Sequence, residues 1–218
     1  MFEAAAIILA GGKSSRLKIP KISLKLGGKS LLEINIKKLT SLVAQILIVT
    51  SSSESREDYT LKELPGLVDK FAGKVKLVSD LFPDKGPLGG IYTGLTYSPY
   101  LYNLVLACDL PCLNSRLLDY LLENAGEIDV LVPIINGLPE PLLAVYSRRC
   151  LPFISQQLKE NDLRVRSFYP RVKVKYLAEE ILQLLDPRLF SFFNINTPED
   201  LNKARILFKD IYGNQEEK

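Results

Sequence analysis

Ala4–Leu9 (AAAIIL) is six apolar residues with no polar interruption, and a glycine pair follows after one alanine. A strand with one wet face alternates polar and apolar residues, whereas a continuous apolar run is buried on both faces. Such a strand belongs inside a parallel sheet covered by helices on either side. Gln45–Thr50 (QILIVT), Lys74–Val78 (KVKLV), Asn103–Ala107 (NLVLA) and Ile128–Pro133 (IDVLVP) repeat the pattern, with helical stretches between them. The expectation is therefore an α/β fold: one three-layer domain with a mostly parallel, Rossmann-like twisted sheet. It is expected to span residues 1–212, with 213–218 (GNQEEK) as a frayed tail and an antiparallel element around Pro141–Ser147.

Helix signals fit this alternation. Ser30 and Glu33 have capping-box spacing, and Leu32, Ile36, Leu39 and Val43 follow on one helical face. Asn114 is placed to cap a helix running to Asn124. Thr197-Pro198-Glu199-Asp200 gives a cap, a proline at the first helical position and acids in the first turn, so a last helix begins there.

Composition excludes several chemistries. The 218 residues include no histidine, so no Ser-His-Asp or Cys-His system and no histidine-ligated metal can be built. A bound metal must sit among oxygen ligands, which suits Mg²⁺, Mn²⁺ or Ca²⁺. Net charge is +3, too small to favour nucleic acid as a partner. No apolar stretch is long enough to span a bilayer, and no secretory pattern opens the sequence, so no membrane partner is expected. Cys108, Cys112 and Cys150 suit neither a disulfide framework nor a zinc site, and a cytoplasmic setting is expected.

The stretch Ile8–Leu32 carries GGKS twice, at Gly11–Ser14 and Gly27–Ser30, amid basic residues and no acid. A Walker A loop needs a glycine separated by four residues from its Gly-Lys-Ser, but Ile7 and Ser23 stand there. A dinucleotide fingerprint is also missing. The second GGKS reads as a tight turn leading to the Ser30 cap. The first follows a buried strand, where ligands bind at the carboxyl edge of an open sheet. Gly11 and Gly12 admit backbone N–H groups close to a ligand, and Lys13, Arg16 and Lys21 supply charge for a polyphosphate. A solvated basic loop is the alternative.

LAGGKSSRLKIPK (Leu9–Lys21) resembles the signature of nucleotidyltransferases that attach a nucleoside monophosphate to a phosphorylated acceptor. Its LAGG is similar to that of the molybdenum cofactor guanylyltransferases. GPLGGIYTGL (Gly86–Leu95), ACDLPCL (Ala107–Leu113), GLPEPLLAVY (Gly137–Tyr146) and FNINTPEDL (Phe193–Leu201) resemble further blocks of that family, in the same order. Two departures stand out: Leu17-Lys18 replaces the usual Met-Gly, and Pro20 replaces an Asp.

The resemblance implies transfer of GMP from GTP to the terminal phosphate of molybdopterin. It implies GTP and molybdopterin or the molybdenum cofactor as partners, with contacts to molybdoenzymes or other cofactor-biosynthesis proteins. Use of CTP or another phosphate acceptor is the alternative, and a non-catalytic nucleotide-binding partner protein is a second. It implies that Leu9, Ala10, Gly11, Gly12, Lys21, Asp80 and Asp109 bind nucleotide, with Arg16, Lys21 and Asp109 catalytic. Asp84 lies close enough in sequence to be confused with Asp80. Asp109 ends a strand, where a lone carboxylate can hold Mg²⁺ against phosphates, and Asn114 is the better-placed helix cap. Asn194 and Asn196 read from their sequence as caps or Asx turns, while the resemblance puts them at the acceptor. Arg164 is an acceptor-phosphate candidate or part of a solvated face. No histidine is needed, because a phosphomonoester with a second pKa of about 6 is already largely a nucleophile at neutral pH.

Overall fold

The computed structural model describes residues 1–11, 24–50, 66–71 and 73–213. Gly12, Lys13, Arg16, Leu17, Lys18, Pro20 and Lys21 lie outside the described residues, as does the expected tail beyond Gly213.

The chain runs β1 (Phe2–Leu9), β2 (Lys25–Leu26), β3 (Lys29–Ser30), α1 (Leu31–Leu39), β4 (Val43–Thr50) and β5 (Val75–Ser79). It continues through α2 (Gly86–Tyr97), β6 (Tyr102–Ala107), α3 (Ser115–Glu123), β7 (Val130–Ile135), β8 (Leu138–Pro139) and β9 (Leu143–Ser147). The remaining regular elements are α4 (Leu151–Lys159), β10 (Val174–Leu177), α5 (Glu179–Leu185) and α6 (Pro198–Tyr212), with short 3₁₀ turns between some of them. The main sheet has the order β10-β7-β9-β6-β1-β4-β5, and β8 pairs with β7. β5, β4, β1 and β6 are mutually parallel, while β9 is antiparallel to both β6 and β7. The expected α/β fold and the antiparallel element near Pro141–Ser147 are both present.

β1 is buried on both faces, as its composition requires. Ala4, Ala6 and Ile8 enter one core layer with Leu32, Ile36 and Leu39 of α1 and Leu117, Leu118 and Leu121 of α3. Ile7 and Leu9 enter the opposite layer with Leu88, Ile91 and Leu95 of α2 and Ile154 and Leu158 of α4. α2 lies close to β1 because it presents glycine there. A methyl at Gly94 would run into the Ile7 side chain, with Cδ1 only 2.8 Å away, and one at Gly90 would meet Leu9 Cδ2 at 3.0 Å.

Gly27 and Gly28 have φ of 54° and 76° and join the antiparallel pair β2–β3. Two consecutive positive φ values in a two-residue hairpin loop define the turn that glycine makes without steric cost. The second GGKS is thus a hairpin turn. Ser30 caps α1 by accepting the Glu33 N–H at 3.1 Å. The capping box is not completed, since the Glu33 carboxylate pairs with Lys70 at 2.8 Å. Nor does the helical face continue to Val43: Leu39 ends α1, and Val43 opens β4. A third apolar cluster, Leu24, Leu26, Leu31, Ile195 and Ala204, packs the hairpin against α6 and the chain before it.

Candidate active site

The chain builds β1, β4 and β5 to one side and then returns to place β6 on the other side of β1. The crevice between β1 and β6, above their carboxyl ends, is a topological switch point, the usual ligand site of an open α/β sheet. Backbone hydrogen bonds hold the strand ends level. Ala10 N–H donates to Val49 C=O at 2.8 Å, Cys108 N–H to Leu9 C=O at 3.1 Å, and Asp80 N–H to Thr50 C=O at 2.8 Å. Leu9, Ala10, Gly11, Asp80 and Asp109 therefore all lie along one edge of the sheet.

Asp109 lies two residues beyond the end of β6 and is only 5% exposed. Its loop is braced from three directions. Lys38 Nζ donates to Leu113 C=O at 2.6 Å, and buried Asn35 Nδ2 to Cys108 C=O at 3.4 Å. Asn114 N–H donates to Ser191 Oγ at 2.8 Å. Asn114 also caps α3 by accepting the Arg116 N–H at 2.9 Å, so Asp109 is not the cap. Within this loop, burial pushes the Cys112 thiol up to about 11, which makes it an inert packing group at neutral pH.

The Ile195 N–H donates to the Asp109 C=O at 3.2 Å. This bond brings the segment flanked by Asn194 and Asn196 to the same strand end. Asn194 is half-buried and donates through Nδ2 to Phe192 C=O at 3.4 Å. Asn196 is exposed, and its N–H donates to Asp200 Oδ2 at 3.1 Å, next to the Thr197–Asp200 capping box of α6.

Asp80 is half-buried beyond β5, where its Oδ1 accepts Thr93 Oγ1 at 2.7 Å and Phe82 N–H at 3.0 Å. Thr93 in turn accepts the Leu81 N–H at 3.0 Å, so α2 fixes the carboxylate in place. Asp84 is exposed in the turn before α2 with φ of 65°. Arg164 gives Nε and one terminal nitrogen to Asp162 at 3.0 and 3.1 Å, and its side chain remains 83% exposed. The described contacts do not join it to Asp109.

The sequence reading missed Glu140. The register shows why it matters. Leu106 pairs with Leu143, and Ala107 N–H donates to Leu142 C=O at 3.0 Å. Asp109 and Glu140 each lie two residues beyond that bonded pair, on neighbouring chain segments at one edge. Glu140 is half-buried, and its Oε1 accepts the Leu142 N–H at 3.2 Å. Burial raises its carboxyl above the ordinary value, and the negative charge of Asp109 adds to the rise, against the lowering by the Leu142 N–H. The only sequence signal was an acid between two prolines.

The donor set has a definite preference. Among the described residues no group of three or more histidine, cysteine, aspartate or glutamate side chains surrounds a cation position. A single buried carboxylate fits a hard divalent cation that completes its shell with phosphate oxygens and water, and does not fit a closed zinc site.

Residues 6–174 match the MobA-like NTP transferase domain. The chain belongs to this family. A probable molybdenum cofactor guanylyltransferase of Pelotomaculum thermopropionicum is 34% identical over 95% of this chain and 94% of its own. One from Natranaerobius thermophilus is 35% identical over 92% of this chain and 94% of its own. Among solved structures, molybdopterin-guanine dinucleotide biosynthesis protein A from Archaeoglobus fulgidus is 28% identical, with a TM-score of 0.77 over 95% of this chain and 99% of that one. Among the described residues, no helix is long and apolar enough to cross a membrane.

Proposed function

We propose that this MobA-like transferase transfers GMP from GTP to the terminal phosphate of molybdopterin, releasing pyrophosphate. The observation that carries the reading is the Ile195–Asp109 bond, which sets the Asn194–Asn196 segment against the acid beside the nucleotide crevice. The names of the relatives support the choice of substrates.

An oxygen of the acceptor phosphate attacks the α-phosphorus of GTP in line. A new P–O–P link forms, the bond between the α-phosphorus and the bridging oxygen breaks, and pyrophosphate leaves with that oxygen. The acceptor phosphate is already deprotonated at neutral pH, so no side chain must act as base. The protein's task is orientation and charge neutralisation. Leu9, Ala10, Gly11 and Gly12 present backbone groups to the nucleotide, and Asp80, locked by Thr93, contacts it from β5. Arg16 and Lys21 stabilise the triphosphate. Asp109 would hold Mg²⁺, which would supply further charge neutralisation at the phosphates. Asn194 and Asn196 face the acceptor phosphate, and Arg164 is a further acceptor-phosphate group once released from Asp162.

The test is turnover with Mg²⁺, molybdopterin and each nucleoside triphosphate in turn. Product from GTP supports the reading. Product from CTP alone replaces it with a cytidylyltransferase, and nucleotide binding without pyrophosphate release replaces it with a non-catalytic partner.

A further inference from the structure

The segment GLPEPLLAVY contributes more than a strand. Its proline-flanked turn is held rigidly from below. Tyr146 is fully buried, and its hydroxyl donates to Pro141 C=O at 3.0 Å. The Tyr169 hydroxyl lies 2.8 Å from that of Tyr146. Tyr146 has one proton and gives it to Pro141, so Tyr169 is the donor in the second bond. Glu140 N–H donates to Pro133 C=O at 2.8 Å, which ties the turn to β7 as well. Glu140 is therefore a fixed carboxylate at the edge that carries Asp109.

Only one of its two carboxylate oxygens has a partner among the described residues. Oε1 is committed to Leu142 N–H, and among the described residues nothing donates to Oε2. A half-buried carboxylate oxygen calls for a hydrogen-bond donor. A phosphate has no proton to give at neutral pH and is repelled by the charge. In the functional reading above the nucleotide takes the β1 side of Asp109, whereas Glu140 stands on the β9 side, which is left to the acceptor.

We propose that Glu140 is a specificity residue for the acceptor: it takes hydrogen bonds from the N–H edge of a heterocycle, the aminopyrimidinone edge of a pterin, while the acceptor's phosphate lies at Asp109. This rests on the functional reading above and adds a residue that recognises the part of the acceptor that does not react. Oε2 accepts from the ring N–H or the exocyclic amine of such an edge, both of which are donors, while Oε1 stays with the Leu142 N–H.

Glu140→Gln separates this role from the others. Glutamine retains an oxygen for Leu142 N–H but brings donors to a site that needs acceptors. The KM for molybdopterin should rise about tenfold or more, the scale of a lost hydrogen bond to a charged group. The Kd for GTP and the Mg²⁺ concentration at half-maximal rate should stay within about twofold. A pterin lacking any phosphate, followed by its own fluorescence, should bind wild type and bind the variant about tenfold more weakly, whereas inhibition by inorganic phosphate should not change. Glu140→Asp, which withdraws the carboxylate by one methylene, should show the same direction if the glutamine variant melts early. An unchanged molybdopterin KM overturns the proposal, as does a loss that appears in the Mg²⁺ midpoint. If wild type makes no dinucleotide from GTP and molybdopterin, the functional reading fails first. Direct pterin binding then decides the Glu140 proposal alone, and absence of binding to wild type overturns it.

Discussion

Ile195 and Asp109 are 86 residues apart in sequence, yet the amide of one donates to the carbonyl of the other at 3.2 Å. The bond uses the backbone carbonyl of Asp109 and not its carboxylate. It also links the third apolar cluster, through Ile195, to the β6 strand end. The acid and the asparagine segment are thus held as one unit, and side-chain chemistry at Asp109 can be changed without cutting that link.

Asp109→Asn should therefore keep the fold and lose the reaction. Turnover is expected to fall about 10²-fold or more, the scale of losing a key electrostatic contact in a transition state. The melting temperature should move little. Steady-state kinetics across a Mg²⁺ series, beside a thermal melt, checks both; near-normal Mg²⁺-dependent turnover would remove Asp109 from the mechanism.

The two GGKS segments can be separated by their lysines. Lys29 belongs to a hairpin strand whose turn is set by Gly27 and Gly28. Lys21→Ala should weaken GTP binding at least about tenfold more than Lys29→Ala. Calorimetric titration of both variants measures this directly, and equal losses would move the phosphate role away from Lys21.

Gly94 tests the packing of α2 on β1. A methyl there meets Ile7, which is fully buried and cannot swing aside. Gly94→Ala should destabilise the protein by about 1–3 kcal/mol through overpacking. Chemical denaturation reads that value; an unchanged midpoint would mean that the helix can lift from the strand at no cost.

Asp129 gives a pH signature away from the site. Burial alone would raise its carboxyl, but the Lys173 N–H at 2.9 Å and the Arg149 guanidinium at 2.8 Å outweigh it, and the net position is below the ordinary value of 3.8. An acid lowered in the folded state adds stability that is present above its unfolded pKa and is lost as pH falls through the folded one. Asp129→Asn should therefore lower stability at neutral pH by about 1 kcal/mol, with the gap to wild type closing below about pH 4. Melting curves between pH 2 and 7 check it, and a gap that does not depend on pH would contradict the assignment.

The central strands were legible because burial on both faces leaves a continuous apolar run, and β1 is the clearest case. Caps were legible where a short polar side chain stands before a helix, as at Asn114 and Thr197. β10 escaped because Val174–Leu177 is short and exposes Lys175 and Tyr176, so no periodicity marks it. Val43 was assigned to the wrong element because a leucine-rich helix and a buried strand meet within four residues, and apolar spacing alone does not show where α1 stops. Glu140 was invisible for a different reason. Its place beside Asp109 follows from the antiparallel register of β9 on β6, a long-range pairing that no local pattern encodes. The strand-end positions of Asp109 and Asp80 were readable because strand ends in a parallel sheet are also where ligands bind.

The most direct test follows the nucleotide into product. The protein is incubated with Mg²⁺, molybdopterin and either GTP, CTP or ATP labelled in the α-phosphate, and the label is traced by chromatography. The expected result is label in molybdopterin guanine dinucleotide, with one pyrophosphate released per dinucleotide and GTP favoured over CTP and ATP by at least about tenfold, since that ratio needs only 1.4 kcal/mol of base discrimination. Label passing equally well from CTP, or GTP bound without transfer, would contradict guanylyl transfer as the activity of this chain.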